Sequence, residues 1–315
     1  MAQKMRLKMQ TAMTFEEGIS EFMLNCEARN LRDGTLKHYS DSVKQLYKYI
    51  PPDTPIAEID EDTWDNFRLA MHARGDLNDM SMFTYGRDMK TILRYFMKQG
   101  WLQQLDLPLP KTDKAPTETY SNEDLRKLLK KPNLKKCSFT EYRCWVIVNF
   151  LLSTGVRQNS LINIRIKDVD FGAEVIHVNV TKNRKPLIIP MNRDLQSILK
   201  EYMKYRQTDD EDDYLFCNEY GHKLQRSTVY HAMCDYSKRR DVQKTGVHRF
   251  RHTFAKQWVL MGGNVVTLQK ILGHSSLEIT QQYLNLLVSD IKQDVEEFNI
   301  LREFKTESIS MKGKN

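Results

Sequence analysis

The 315 residues contain no apolar run approaching the ~18 that a membrane-spanning helix needs. Residues 1–14 lack the apolar core of a secretory signal, so no membrane partner is expected. Five cysteines (Cys26, Cys137, Cys144, Cys217 and Cys234) form neither a CxxC pair nor an even framework. That argues against a disulfide scaffold and for a reduced, cytoplasmic setting. Cys217, His222, His231 and Cys234 can be drawn as a zinc set, but their spacings are irregular. Two semi-buried thiols beside two surface imidazoles is the better reading. No Walker sequence, no GxGxxG and no acidic metal cluster is present, so no metal and no cofactor are expected. No repeat of roughly 20–50 residues is visible either.

What is present is a chain of ordinary hydrophobic content (40 %) and charged content (28 %), long enough for two domains with real cores. The net charge of +7 is unevenly placed. Residues 1–116 hold 16 Lys/Arg against 17 Asp/Glu, whereas residues 117–290 hold 27 against 19. The last 25 residues balance at 5 each. A polyanionic partner would therefore be neutralised mainly by the second segment.

Helical periodicity dominates, and the expected class is mainly α. Thr14 can cap a helix that runs to about Arg29, with Phe15, Ile19, Phe22, Met23 and Cys26 on one stripe. Asp33-Gly34 reads as a turn, followed by a helix from about Thr35 to Ile50 that Pro51-Pro52 ends. Further helices are expected from Glu61 to about Arg74 and from about Met80 to Gln99. Together these make a helical unit over residues 14–106. Residues 107–116, with three prolines and no period, read as a linker.

Ser121 then caps a helix with Asp124 three residues on. A strongly apolar helix spans about Thr140 to Ser153. Only Val169–Pro190 is strand-like. Ile176, Val178 and Val180 alternate with polar residues, and Leu187-Ile188-Ile189 answers, giving a small hairpin with Lys182 at its turn. Helices return from Asp194 to about Arg206 and from Arg226 to Arg240, and Tyr214–Cys217 reads as a short buried strand. Residues 117–290 thus form a mixed, mostly helical domain with a small β-hairpin or sheet. Beyond it, Ile291, Val295, Phe298, Leu301 and Phe304 recur at helical spacing, so residues 291–315 read as an amphipathic tail.

The chemistry concentrates between Val247 and Tyr283. The sequence reads V-H-R-F-R-H-T-F-A from Val247, L-G-H-S-S from Leu272 and Q-Q-Y-L from Gln281. His248 and Arg251 are three apart and share a helical face. His274 follows a Leu-Gly helix stop. A phenol (Tyr283) beside an arginine and two imidazoles is a kit for attacking a phosphodiester. Cations neutralise the phosphate oxygens, and an imidazole can take the phenol proton.

With Thr154-Gly155-Val156-Arg157 upstream and Lys182 in its turn, this set resembles the tyrosine recombinases, the phage-integrase-like site-specific DNA recombinases. The resemblance runs from about Thr14 to about Asp290. It implies an N-terminal core-binding domain that closes on duplex DNA and a catalytic domain carrying Arg157, Lys182, His248, Arg251, His274 and Tyr283. It implies that Tyr283 is the nucleophile, His248 its base, and Arg157, Arg251 and His274 phosphate ligands. Lys182 would be the general acid, with Lys185 its rival. The product would be a 3′-phosphotyrosyl enzyme, resealed by another strand's 5′-hydroxyl without ATP.

Lys37, His38, Ser81, Thr84, Tyr85 and Arg87 lie on the two helices that the resemblance would bring to DNA. The tail resembles a segment docked on a neighbouring protomer, with an intramolecular dock as the alternative. The former implies a homotetramer on paired recombination sites, with an accessory DNA-bending or directionality protein as a further partner. Two departures stand out: Ser160 where the family usually has Glu, and Phe250 for Leu in H-x-L-R-H. With no separate arm-binding domain expected before Thr14, the layout resembles the short Xer-like members. The rival functions are a catalytically silent DNA-binding protein of the same fold and a type IB topoisomerase.

Overall fold

The structure is a computed structural model that describes residues 12–109 and 118–281. The chain divides into two compact units, Met1–Ala115 and Pro116–Asn315.

In the first unit, α1 (Phe15–Ala28) begins at Thr14 for a local reason. Glu17 N donates to Thr14 Oγ1 at 3.3 Å, and Thr14 N donates to Glu17 Oε2 at 2.8 Å, a reciprocal cap. The turn that follows is not at Asp33-Gly34 as the sequence led us to expect. Asn30 makes it, at φ 53°, and Asp33 and Gly34 open α2 (Asp33–Leu46). Asparagine tolerates the left-handed region, and Asp33 sits well in a first helical turn. α2 also stops four residues short of Ile50, its end tightening into i→i−3 turns in which Lys48 N donates to Gln45 O and Tyr49 N to Leu46 O. A 3₁₀ turn (Ile56–Glu58), α3 (Glu61–Ala73) and α4 (Asp79–Gln99) complete the unit.

α4 packs on α1, α2 and α3 around Phe15, Phe22, Leu46, Trp64 and Phe96. Gly18 permits the close approach: a Cβ there would stand 2.4 Å from Ile56 Cδ1. Leu107, which its prolines placed in the linker, buries its side chain in this core, and Lys90 Nζ donates to its carbonyl. Residues 110–117 of that stretch lie outside the described residues.

The second unit opens with α5 (Asn122–Leu129), capped by Ser121 and Asp124 as their spacing indicates. Next come α6 (Phe139–Thr154), the single turn α7 (Gln158–Leu161) and a 3₁₀ turn at Ile166–Asp168. α6 packs on α5 and is buried along nearly its whole length, as a helix without a polar stripe must be. The strands β1 (Val169–Asp170), β2 (Val175–Val178) and β3 (Leu187–Pro190) form an antiparallel sheet in that order, with Ile176 opposite Ile189 and Val178 opposite Leu187. The expected hairpin therefore has a third strand, and its ladder stops at Val178. Val180 lies past the ladder and is exposed, so the inward alternation ends one step early.

The chain continues through α8 (Arg193–Arg206), α9 (Arg226–Lys238), α10 (Val247–Leu260), α11 (Val265–Leu272) and α12 (Glu278–Gln281). α6 also receives α8, α9 and α10. Tyr214–Cys217 is buried at Leu215, Phe216 and Cys217 but is not a strand. Tyr214 makes one bridge to Arg165 and Cys217 one to Lys223, too little for a ladder. In the basic run after α9, Arg240 turns inward, 3.7 Å over the Tyr236 ring and 3.2 Å from Glu141. Among the described residues no helix is long and apolar enough to cross a membrane. The tail, residues 291–315, lies outside the described residues.

Candidate active site

Two helices of the second unit end in the same way. α6 closes on Gly155 at φ 62° and α11 on Gly273 at φ 60°, both left-handed, where glycine carries no Cβ penalty. The last carbonyls of a helix have no intrahelical partner and carry the negative end of its dipole. Each glycine is followed within two residues by a candidate side chain, Arg157 in one case and His274 in the other.

Arg251, one turn into α10, joins the two ends. Its Nη1 donates to Gly155 O and its Nη2 to Leu272 O, each at 2.8 Å. Arg157 Nη1 donates to the same Leu272 carbonyl at 3.4 Å. Gly155 lets the pieces close up, since a Cβ would stand 2.4 Å from Phe254 Cδ1 and 2.8 Å from Leu272 Cδ2.

His274 is buried against this bridge. Its Nε2 is 2.7 Å from Arg251 Nη2 and its Nδ1 is 2.9 Å from Thr280 Oγ1. A guanidinium only donates, so Nε2 must accept, and the ring proton is assigned to Nδ1, which donates to Thr280. The ring is neutral in that arrangement. Burial first, and then the charges of Arg251 and Arg157, push its pKa down to about 4.

His248 lies on α10 one turn before Arg251. Partial desolvation by its neighbours, then the charges of Arg251, Arg157 and Lys182, hold the pKa of this solvent-exposed imidazole below the ordinary histidine value. That direction favours the neutral imidazole, the form able to accept a proton. Its ring meets His252 edge to face, with centroids 4.6 Å apart and planes at 83°. His252 is pushed down to about 4 by burial, followed by the charges of its neighbours.

A cavity of about 340 Å³ opens on these groups, lined by Arg157, Arg251, His274, Ser160 and Lys185. The loop 179–186 forms one wall. Thr181 Oγ1 donates to Lys185 O at 2.7 Å, and Asn183 Nδ2 donates to Gly273 O at 3.3 Å. Lys185 faces the cavity, while Lys182 is near enough to His248 for its charge to bear on the imidazole. Ser160 is a buried wall residue here. Of the six reacting candidates, the structure gathers Arg157, Lys182, His248, Arg251 and His274. Tyr283 lies outside the described residues.

Three supporting groups escaped the sequence reading. Thr280, fully buried, orients His274. His252 braces His248 and could have been suspected from its place in the motif. Tyr120 straps the helix that carries the site: its N donates to Thr253 Oγ1 at 2.9 Å and its ring meets Phe250 at 4.5 Å. Beside it, Glu118 pairs with Arg249. In the first unit, His38, Ser81, Thr84 and Tyr85 line one cavity of about 420 Å³ between α2 and α4. Lys37 and Arg87 are exposed outside its lining.

Both units match known proteins. Residues 119–289 match the phage integrase family, and residues 14–114 match the phage integrase SAM-like domain. The tyrosine recombinase XerA of Saccharolobus solfataricus is 26 % identical over 273 residues, covering 83 % of this chain and 86 % of the relative. XerA of Pyrococcus furiosus is 30 % identical over 217 residues, covering 68 % and 73 %. Among solved structures, the Tn1549 transposon integrase in complex with a circular intermediate DNA aligns with a TM-score of 0.75. It is 20 % identical and covers 91 % of this chain and all of that one.

Proposed function

The chain belongs to the phage integrase family, it is a DNA strand-transferring tyrosine recombinase acting in site-specific recombination, and we propose that it works through a 3′-phosphotyrosyl intermediate on Tyr283. The phenol oxygen attacks phosphorus and its proton passes to the neutral imidazole of His248. The P–O5′ bond breaks, and Lys182 supplies a proton to the departing 5′-oxygen. Arg157, Arg251 and His274 bind the non-bridging oxygens as negative charge builds on them. Guanidinium forks suit that task because they match phosphate geometry and stay charged. The second strand's 5′-hydroxyl then reverses the step, so the phosphodiester energy is conserved.

The observation that carries this reading is the convergence of Arg157, Arg251 and His274 on one cavity, with His248 one helical turn before Arg251 on α10. Lys182 is assigned the acid role on the family resemblance and on its place in the loop 179–186 that walls the cavity. Lys185, which lines the cavity, is the alternative to be separated by mutation.

DNA is the partner of this chain. The finer assembly is our reading of the sequence. Residues 14–106 act as a core-binding domain, 107–116 as linker and 117–290 as the catalytic domain. Residues 291–315 dock on a neighbouring protomer of a tetramer that holds paired sites. An accessory DNA-bending or directionality protein joins that tetramer, which works in the cytoplasm at the nucleoid.

The test uses duplexes from the ends and the junction of the locus that encodes the protein, nicked so that resealing is blocked. Wild type should give an SDS-resistant adduct on the 3′ side of the break, and Tyr283→Phe should give none. An equal adduct with Tyr283→Phe would remove the nucleophile assignment. Tight binding without any adduct would favour a silent DNA-binding protein.

A further inference from the structure

The first unit carries 16 basic against 17 acidic residues up to Pro116, an unpromising balance for a grip on DNA, and one of its carboxylates is buried. Asp88 on α4 has a side chain only 3 % exposed. A buried carboxylate is costly unless it is hydrogen-bonded and paired. Asp88 is both. Ser42 Oγ, from α2, donates to Oδ2 at 2.6 Å, and Arg87 Nη2 donates to Oδ1 at 3.3 Å. His38 Nε2, also from α2, lies 2.8 Å from Oδ2, at ion-pair distance though off the hydrogen-bond direction, and is shielded from solvent.

Yet the side chains of His38 and Arg87 remain 42 % and 52 % exposed. One buried anion thus holds two nitrogen-bearing side chains at the surface, beside the cavity that Ser81, Thr84 and Tyr85 also line. Asp41 and Lys44 on the same rim pair with each other at 3.5 Å.

We propose that Asp88 is a positioning residue for DNA-backbone binding, which ties α2 to α4 through Ser42 and aims His38 and Arg87 at the phosphates of a duplex lying over the α2–α4 cleft. The inference rests on the recombinase reading and adds a role for a residue that touches no DNA. It explains how a unit with no excess of cations grips a polyanion. Side chains already held in place lose less freedom on binding, and an acid sequestered beneath them repels the phosphates less than an exposed one.

The test uses the full chain carrying Tyr283→Phe, on the duplex that gives the covalent adduct with wild type, with affinity followed from about 50 to 200 mM salt. His38→Ala and Arg87→Ala should each weaken binding roughly fivefold, and Arg87→Ala should also reduce the slope of log K against log salt by about 0.9 for the phosphate no longer neutralised. Asp88→Asn should reproduce the loss of both. Added to the His38→Ala, Arg87→Ala pair, it should change nothing further.

Tighter binding by Asp88→Asn would overturn the proposal, since Asp88 would then merely repel DNA. So would weaker binding with an unchanged slope that adds to the pair, which is the signature of a purely structural loss. Should Asp88→Asn fail to fold, Ser42→Ala keeps the charge and removes one anchor. It should give a smaller slope loss in the same direction, and no change overturns the idea. Absence of an adduct with wild type on every duplex sinks the parent reading. An adduct whose DNA affinity ignores His38 and Arg87 sinks only this one.

Discussion

Each unit buries a charge, and the two are held by different means. Asp88 in the first unit is gripped by side chains: Ser42, His38 and Arg87. Arg251 in the second is gripped by backbone, the carbonyls of Gly155 and Leu272, together with His274. A side-chain partner can rotate away, whereas a carbonyl at a helix end moves only if the helix moves. The second arrangement is therefore the stiffer one. It places a guanidinium at two helix C-termini, where a cation is favoured, and it holds reacting groups to the tolerance that phosphoryl chemistry needs.

That contrast can be broken at several points. The largest effect is expected from Arg251→Lys, which keeps the charge but loses the fork that spans both helix ends. Adduct formation on the nicked duplex should fall by at least ~10²-fold. A rate within a few-fold of wild type would show that the fork does not build the site.

Gly155→Ala should follow. It forces a β-carbon into the left-handed region and against Phe254 and Leu272, for a combined cost of about 2–5 kcal/mol in denaturant unfolding. Gly75→Ala in the first unit, at φ 70° with nothing within 4 Å, should cost only the backbone share, about 1–2 kcal/mol.

Acid should separate the units next. His274 and His252 have pKa values pushed down to about 4 in the folded chain. Their contribution is fully present above the ordinary histidine value near ~6.5 and is lost as pH falls through 4. Denaturant midpoints between those limits should drop, and His274→Gln should flatten the drop. A midpoint independent of pH over that window would contradict the neutral assignment.

Thr280→Val removes the acceptor that orients His274. Cleavage should slow about tenfold, and Thr280→Ser should restore most of it. The smallest effect is expected from Ser42→Ala in the first unit, about 1–2 kcal/mol of stability from one hydrogen bond to a carboxylate. Adduct chemistry on a saturating concentration of duplex should be untouched.

Much of this was legible in the chain where the cause is local. Thr14 with Glu17 and Ser121 with Asp124 are caps whose partners lie three residues away, and both form. The apolar run from Thr140 announces the helix on which the second core is built. The readings that went astray depend on neighbours distant in sequence. Leu107 looked like linker because its prolines dominate, yet a pocket in the first core takes it. Val180 continued an alternation whose partner strand had already ended. Arg240 carries no local mark of the inward turn that Tyr236 and Glu141 give it. Thr280 carries no local mark of its bond to His274.

The sequence by itself determined the helices, their caps, the two glycine stops and the residue types of the site, because each is fixed within a few residues by backbone sterics, periodicity and short-range hydrogen bonds. Only the tertiary structure decided that Gly155 and Leu272, more than a hundred residues apart, present their carbonyls to one arginine on a third helix. That meeting is set by how α10 packs on α6 and on α11, and interlocking of distant side chains in a close-packed core leaves no trace in any short stretch of sequence.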